Sequence, residues 1–194
     1  MTRHIAAVLG AAIALWALPT IARANGEFCV GHPTTIFGTL GSDSPATGFD
    51  GTPGHDVMFA FRGNDTVDGE GGNDILCGSK GDDSLDGQSE GDELYGQGGN
   101  DRILGSSGRD VAYGSEGNDS VGGGNGADLV DGGSGADELR GGPQADAIYG
   151  GTGDDLLVSA NGGIDHVLGE GGIDTCRVDA FDVVESCEVI DLVP

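Results

Sequence analysis

Basic residues are scarce in this 194-residue chain: eight Lys and Arg stand against 33 Asp and Glu, a net charge of −25. Nucleic-acid binding needs basic patches that neutralise phosphates, and an anionic membrane surface repels a chain of this sign; neither is expected as a partner. Six prolines are too few for collagen despite 40 glycines. Aromatic residues make up 5%, too little for a thick globular core. The longest apolar run, Ile5 to Leu18, is too short for a transmembrane helix. There is no HExxH motif and no GxSxG nucleophile elbow. The histidines are His4, His32, His55 and His166, and the chain is expected not to be an enzyme. No CxxC pair is present, which argues against a structural zinc site.

The N-terminus has the form of a secretory signal peptide. Arg3 and His4 precede the apolar run, Pro19 breaks it, and Ala22-Arg23-Ala24 supplies small residues for cleavage after Ala24. The expected organisation is a signal peptide at 1–24, an N-terminal cap segment at 25–37, a repeat region at 38–177 and a C-terminal cap at 178–194. A secreted, extracellular location would place the four cysteines in an oxidising compartment. Four cysteines allow three pairings. The expected one joins Cys176 to Cys187, close neighbours near the C-terminus, and leaves Cys29 for Cys77, a staple at each end.

What the sequence has in excess is periodic. Aspartates recur every nine residues at Asp56, Asp65, Asp74, Asp83, Asp92, Asp101, Asp110, Asp119, Asp128, Asp137, Asp146 and Asp155; after one inserted residue, Asp165 and Asp174 resume the count. Two residues before each stands glycine, except at Glu90 and Gln144. Five residues before, glycine fails only at Ala60 and Ala160. Two residues after comes an apolar or small residue, from Met58 and Val67 through Leu157 and Val167 to Cys176. A disordered acidic chain has no reason to keep such a register, so an internal repeat is the governing feature.

The stretch Gly150-Gly151-Thr152-Gly153-Asp154-Asp155-Leu156-Leu157-Val158 reads GGxGxDxUx, with U a large apolar residue, and Gly132 to Leu139 is a close copy. The pattern resembles the RTX, or haemolysin-type, calcium-binding repeat. The chemistry fits: Ca²⁺ takes six to eight oxygen ligands, and one aspartate needs help from backbone carbonyls. Turning those carbonyls inward needs conformations that a Cβ opposes, hence glycine. The apolar segment after each aspartate reads as a short strand with U inward.

The resemblance implies an all-β fold, a parallel β-roll or β-solenoid of calcium-binding nonapeptide repeats with disulfide-stapled end caps. Two nonapeptides make one coil, residues 18 apart stack, and aspartates such as Asp83 and Asp101 share an ion. Calcium is the implied cofactor, on the order of ten ions, and stacked carboxylates imply a chain that folds when they are bound. Sites of Asp92 and Asp146 are expected to be weaker, because Glu90 and Gln144 replace glycine; Glu90 could instead contribute a carboxylate. A cleaved signal and the cysteine placement resemble a secreted branch of the family.

The ends depart from the clock. Gly38-Thr39-Leu40-Gly41-Ser42-Asp43 looks like one more copy, four residues out of phase, and Pro33 to Phe37 reads as a strand. After Val178 the glycines cease. Outward positions of alternate repeats give one apolar face carrying Phe59, Tyr95, Tyr113 and Tyr149, and one mostly polar face without a Thr-x-Thr array, which argues against ice binding. The apolar face could serve an adhesion, cell-surface or polysaccharide partner. It could equally stiffen the roll or lie beneath the segment that Cys29 ties to Cys77.

Overall fold

Each nonapeptide forms one short strand followed by one tight turn. In the computed structural model, residues 35–38, 41, 49–159 and 163–193 are described. The expected signal peptide, Cys29, Ala160 and most of the extra copy at 38–43 lie outside them.

Strands alternate between two sheets. The first sheet holds β1 (Thr35–Phe37), β3 (Val57–Phe59), β5 (Ile75–Lys80), β7 (Glu93–Gly98), β9 (Val111–Glu116), β11 (Leu129–Ser134), β13 (Ala147–Thr152), β15 (His166–Gly171) and β17 (Val183–Glu185). The second holds β2 (Asp50–Thr52), β4 (Thr66–Glu70), β6 (Ser84–Asp86), β8 (Arg102–Ser107), β10 (Ser120–Asn125), β12 (Glu138–Arg140), β14 (Leu156–Val158), β16 (Thr175–Val178) and β18 (Val189–Leu192). The named strand pairs are all parallel, and two strands with their turns make one coil. The register confirms the 18-residue stack: Leu94 pairs with Ala112, and Val121 with Leu139. The inserted residue shifts it once, so that Ile148 pairs with Val167. The fold is the all-β parallel solenoid that the resemblance implies.

The period-two alternation of a strand decides what goes inside. In β9 the buried positions are Ala112 and Gly114; in β8 they are Ile103 and Gly105. Each repeat therefore sends inward one apolar side chain and one glycine. The apolar residues of both sheets meet in a single core from Met58 and Val67 to Val167 and Cys176, all fully or almost fully buried. Glycine also lets the coils approach. Gly99 has φ +135°, and a Cβ there would run into the carbonyl oxygen of Gly81, one coil earlier.

Both ends continue this pattern. Thr35–Phe37 is a strand, as its sequence suggests, and pairs with β3 across the four-residue insertion. The segment expected as a C-terminal cap supplies a further coil: β17 pairs with β15, and β18 with β16. Cys176 and Cys187 are disulfide-bonded, with Cα atoms 6.0 Å apart. Cys77 is disulfide-bonded too, and its expected partner Cys29 lies outside the described residues. On the apolar face Val57 and Cys77 are covered, with 0% exposure, so the strip is not bare along its whole length.

With one apolar side chain per nonapeptide, each carries much of the packing. Leu139→Ala should lower the stability of the calcium-saturated roll by about 3 kcal/mol, the usual cost of a buried leucine truncation. Denaturant unfolding at saturating calcium measures it.

Candidate metal centre

The turns between the sheets place the aspartates in two rows. Row one contains Asp56, Asp74, Asp92, Asp110, Asp128, Asp146 and Asp165, and row two contains Asp65, Asp83, Asp101, Asp119, Asp137, Asp155 and Asp174. All fourteen are at most 4% exposed. One hydrogen bond repeats along each row: the backbone N–H of an aspartate donates to Oδ1 of the aspartate one coil further on. Asp101 N–H donates to Asp119 at 2.7 Å, Asp110 N–H to Asp128 at 2.9 Å, and Asp155 N–H to Asp174 at 3.0 Å. The carbonyl of Asp101 in turn accepts the N–H of Ser120 at 2.8 Å.

Only half of each carboxylate is used this way. Oδ2 of Asp74, Asp83, Asp92, Asp101, Asp110, Asp119, Asp128, Asp137, Asp146, Asp155, Asp165 and Asp174 is buried without a hydrogen-bond partner. Native proteins rarely leave buried polar atoms unpaired, so twelve such oxygens in two files demand a counter-charge. An inward glycine leaves space beside all of these except Asp165, whose repeat has Ala160 at that position. A Cβ on Gly105 would sit 2.5 Å from Asp110 Oδ2 and 2.5 Å from the Gly123 carbonyl oxygen; on Gly132 it would meet Asp137 Oδ2 at 2.5 Å and the Gly150 carbonyl at 2.7 Å. Carboxylate and carbonyl oxygens thus border the same cradle, coil after coil.

Burial dominates the electrostatics. It pushes the carboxyls of Asp74, Asp83, Asp110, Asp137, Asp155 and Asp165 up to about 6, with the N–H bond pulling back and neighbouring carboxylates adding to the rise at most of them. Asp101 and Asp146 reach about 7 for the same reasons. Asp92 reaches about 8, where Asp110, Asp74 and Glu90 add their charges to its burial. Glu90 and Gln144 keep the turn's left-handed path at φ 71° and 83°. Their side chains accept the N–H groups of Gly72 and Gly126, at 3.1 and 2.8 Å. The rungs of Asp92 and Asp146 are intact.

The rows run one rung further than the nine-residue clock reveals. Asp165 N–H donates to Asp182 at 3.0 Å, and Asp174 N–H to Glu188 at 2.9 Å. Sheet register makes Asp182 and Glu188 the counterparts of Asp165 and Asp174. Their sequence signal was an acidic residue two positions before Val184 and Ile190. At the other end, Asp56 differs from its row: Thr52 donates both its N–H, at 2.7 Å, and its hydroxyl, at 2.8 Å, to Oδ2.

These residues fit a hard cation. The donor set is oxygen throughout, and among the described residues no three His, Cys, Asp or Glu side chains converge as a side-chain-only metal site requires. Two stacked carboxylates with carbonyls around glycine match the oxygen-rich, adaptable coordination of calcium instead. Fold and rows together define a calcium-type β-roll. The family model for the RTX calcium-binding nonapeptide repeat matches in four copies, at residues 50–85, 86–121, 95–130 and 122–157. The chain belongs to that family. Comparison with curated proteins returns no match.

Raised carboxyl pKa values have a definite consequence for the metal-free chain. A group whose pKa is higher folded than unfolded stabilises the fold below its unfolded value and loses that contribution as pH rises through the folded one. Without calcium, β structure should therefore be greatest near pH 4 and decline as pH climbs through about 6 to 8. Far-UV circular dichroism in chelator across this range measures it; β signal that increases with pH would contradict the assignment.

Proposed function

We propose that the chain is a secreted protein that folds on binding several calcium ions in its glycine and aspartate turns, and that it is not an enzyme. The observation that carries this reading is the double file of buried, unpartnered Oδ2 atoms, nearly all beside a glycine cradle. The ligands are Asp65, Asp74, Asp83, Asp92, Asp101, Asp110, Asp119, Asp128, Asp137, Asp146, Asp155, Asp165 and Asp174, with backbone carbonyls completing each shell. Asp56, whose Oδ2 is served by Thr52, binds least. Ala60 and Ala160 stand where the other repeats have the cradle glycine, so Asp65 and Asp165 are also weak. On the order of ten ions remain. The periodic hydrogen bonding of the carboxylates explains them without a hydrolytic pair. Secretion is supported by the form of residues 1–24 and by disulfide-bonded cysteines.

Far-UV circular dichroism of residues 25–194 during a calcium titration, with magnesium as control, tests the reading. A cooperative gain of β signal with calcium alone is expected, because binding free energy becomes folding free energy. Constant structure with no calcium uptake by calorimetry would overturn it. Within the roll, Gly105→Ala should weaken calcium binding, since the new methyl group would press on Asp110 Oδ2 and the Gly123 carbonyl.

The tyrosine face supports a second role as a partner-binding surface. Phe59, Tyr95, Tyr113 and Tyr149 are partly exposed along the first sheet. Tyr95 and Tyr113 stack on each other, with centroids 5.2 Å apart and planes 12° apart. Asp131 separates Tyr113 from Tyr149 in register. Ring faces turned to one another favour stiffening over a flat platform for a sugar. Replacing Tyr95, Tyr113 and Tyr149 with serine should leave self-association and binding to cell walls or polysaccharides unchanged; their loss in pull-down experiments would establish the partner role.

A further inference from the structure

Row two ends in a turn that is not a nonapeptide. Register sets Ser186 opposite Gly169 and Val189 opposite Thr175, so the turn before β18 contains only Ser186, Cys187 and Glu188. The corresponding turn one coil earlier runs from Gly169 to Asp174. Glutamate reaches further than aspartate by one methylene. Glu188 Oε2 thereby takes the rung position and accepts Asp174 N–H at 2.9 Å. The disulfide from the core residue Cys176 to Cys187 anchors this turn immediately beside Glu188.

Asp174 itself is placed like the repeat aspartates, while Ser186 and Glu188 opposite it are exposed. Asp174 is 0% exposed and its Oδ2 has no hydrogen-bond partner. A Cβ on Gly169 would lie 2.5 Å from that oxygen and 2.5 Å from the Ser186 carbonyl oxygen. The Gly105 cradle shows the same pair of distances. Row one ends differently. Asp182 accepts Asp165 N–H on Oδ1, and on Oδ2 both the Ser159 hydroxyl and Asp179 N–H, each at 2.8 Å. Both Asp165 and Asp174 keep a bare Oδ2, but in row one protein donors saturate the terminal rung Asp182.

We propose that Glu188, Asp174 and the Ser186 carbonyl form a further calcium site at the C-terminal end of row two, outside the repeats that the family model matches. The inference rests on calcium being the ion of the rows. The disulfide does for this turn what glycine does in the others: it holds a fixed backbone path around the ion.

Equilibrium dialysis of the full chain at saturating calcium tests the site. Glu188→Gln keeps an oxygen that accepts Asp174 N–H and removes the charge. It should lose about one calcium ion per chain relative to the unaltered protein and keep the same far-UV spectrum. Asp110→Asn, in mid-row, serves as reference. Unchanged stoichiometry in Glu188→Gln, with a loss in Asp110→Asn, overturns the terminal site and leaves the calcium reading of the rows intact. Loss of several ions together with β signal also overturns it, because Glu188 would then hold the coil rather than an ion. No calcium on the unaltered protein overturns both readings.

Discussion

One hydrogen bond organises this molecule: the N–H of each ladder aspartate donating to Oδ1 of the aspartate one coil away. It fixes register between coils, since a slip would break the whole file. It also turns each carboxylate inward, and only one of its two oxygens is paid for. Two unit charges about 5 Å apart repel by roughly 3 kcal/mol at an effective dielectric of 20, and each row repeats that contact along its length. The opposing attraction comes from one apolar side chain per nine residues. Burying a charge without a partner is costly, which is why the proposed reading makes a cation between the coils part of the folding free energy.

Glycine resolves two demands that would otherwise conflict. The strand's alternation puts two positions per repeat inside, and a second apolar residue would strengthen the core. That position instead faces Oδ2, where any Cβ removes the space an ion needs. Metal affinity is thus obtained at the expense of core volume, which explains the low aromatic content. The position four residues before each aspartate obeys a different rule. It takes a positive φ at every described turn from Phe61 to Glu170, though not at Thr52, yet only Gly124, Gly133, Gly142 and Gly151 are glycine there; Ser106, Ser115 and Gln97 accept the left-handed conformation. Strain of about 1–2 kcal/mol is thus accepted at most of these turns, whereas among the described residues only Ala60 fills a cradle.

The nine-residue spacing made the repeat and its inward residues legible, and the resemblance to RTX repeats supplied the roll and its 18-residue stack, because a stacked coil converts sequence distance directly into spatial contact. Leu94 and Ala112 could be paired by counting. Counting fails where turns change length. Asp182 lies 17 residues after Asp165 and Glu188 14 after Asp174, so both rungs fell out of phase although the sheets bring them into line. Thr52 was invisible for another reason. Its two bonds to Asp56 depend on where β2 enters the first coil, which no periodic rule specifies.

The ends show how a periodic molecule stops. A parallel roll exposes strand edges at both ends, and such edges template further pairing. Here β1, β2 and β17 are three residues long and β18 four, short enough to offer few backbone groups. On β18 the exposed Val189, Ile190 and Leu192 would favour growth. Asp191 among them, paired with Arg177 at 3.4 Å, and Glu185 on β17 oppose it by placing charge on the edge. The same residue type therefore serves two ends: buried in the rows, carboxylates offer oxygens for the proposed ions, and at the last strands, exposed to water, they discourage one roll from continuing into the next.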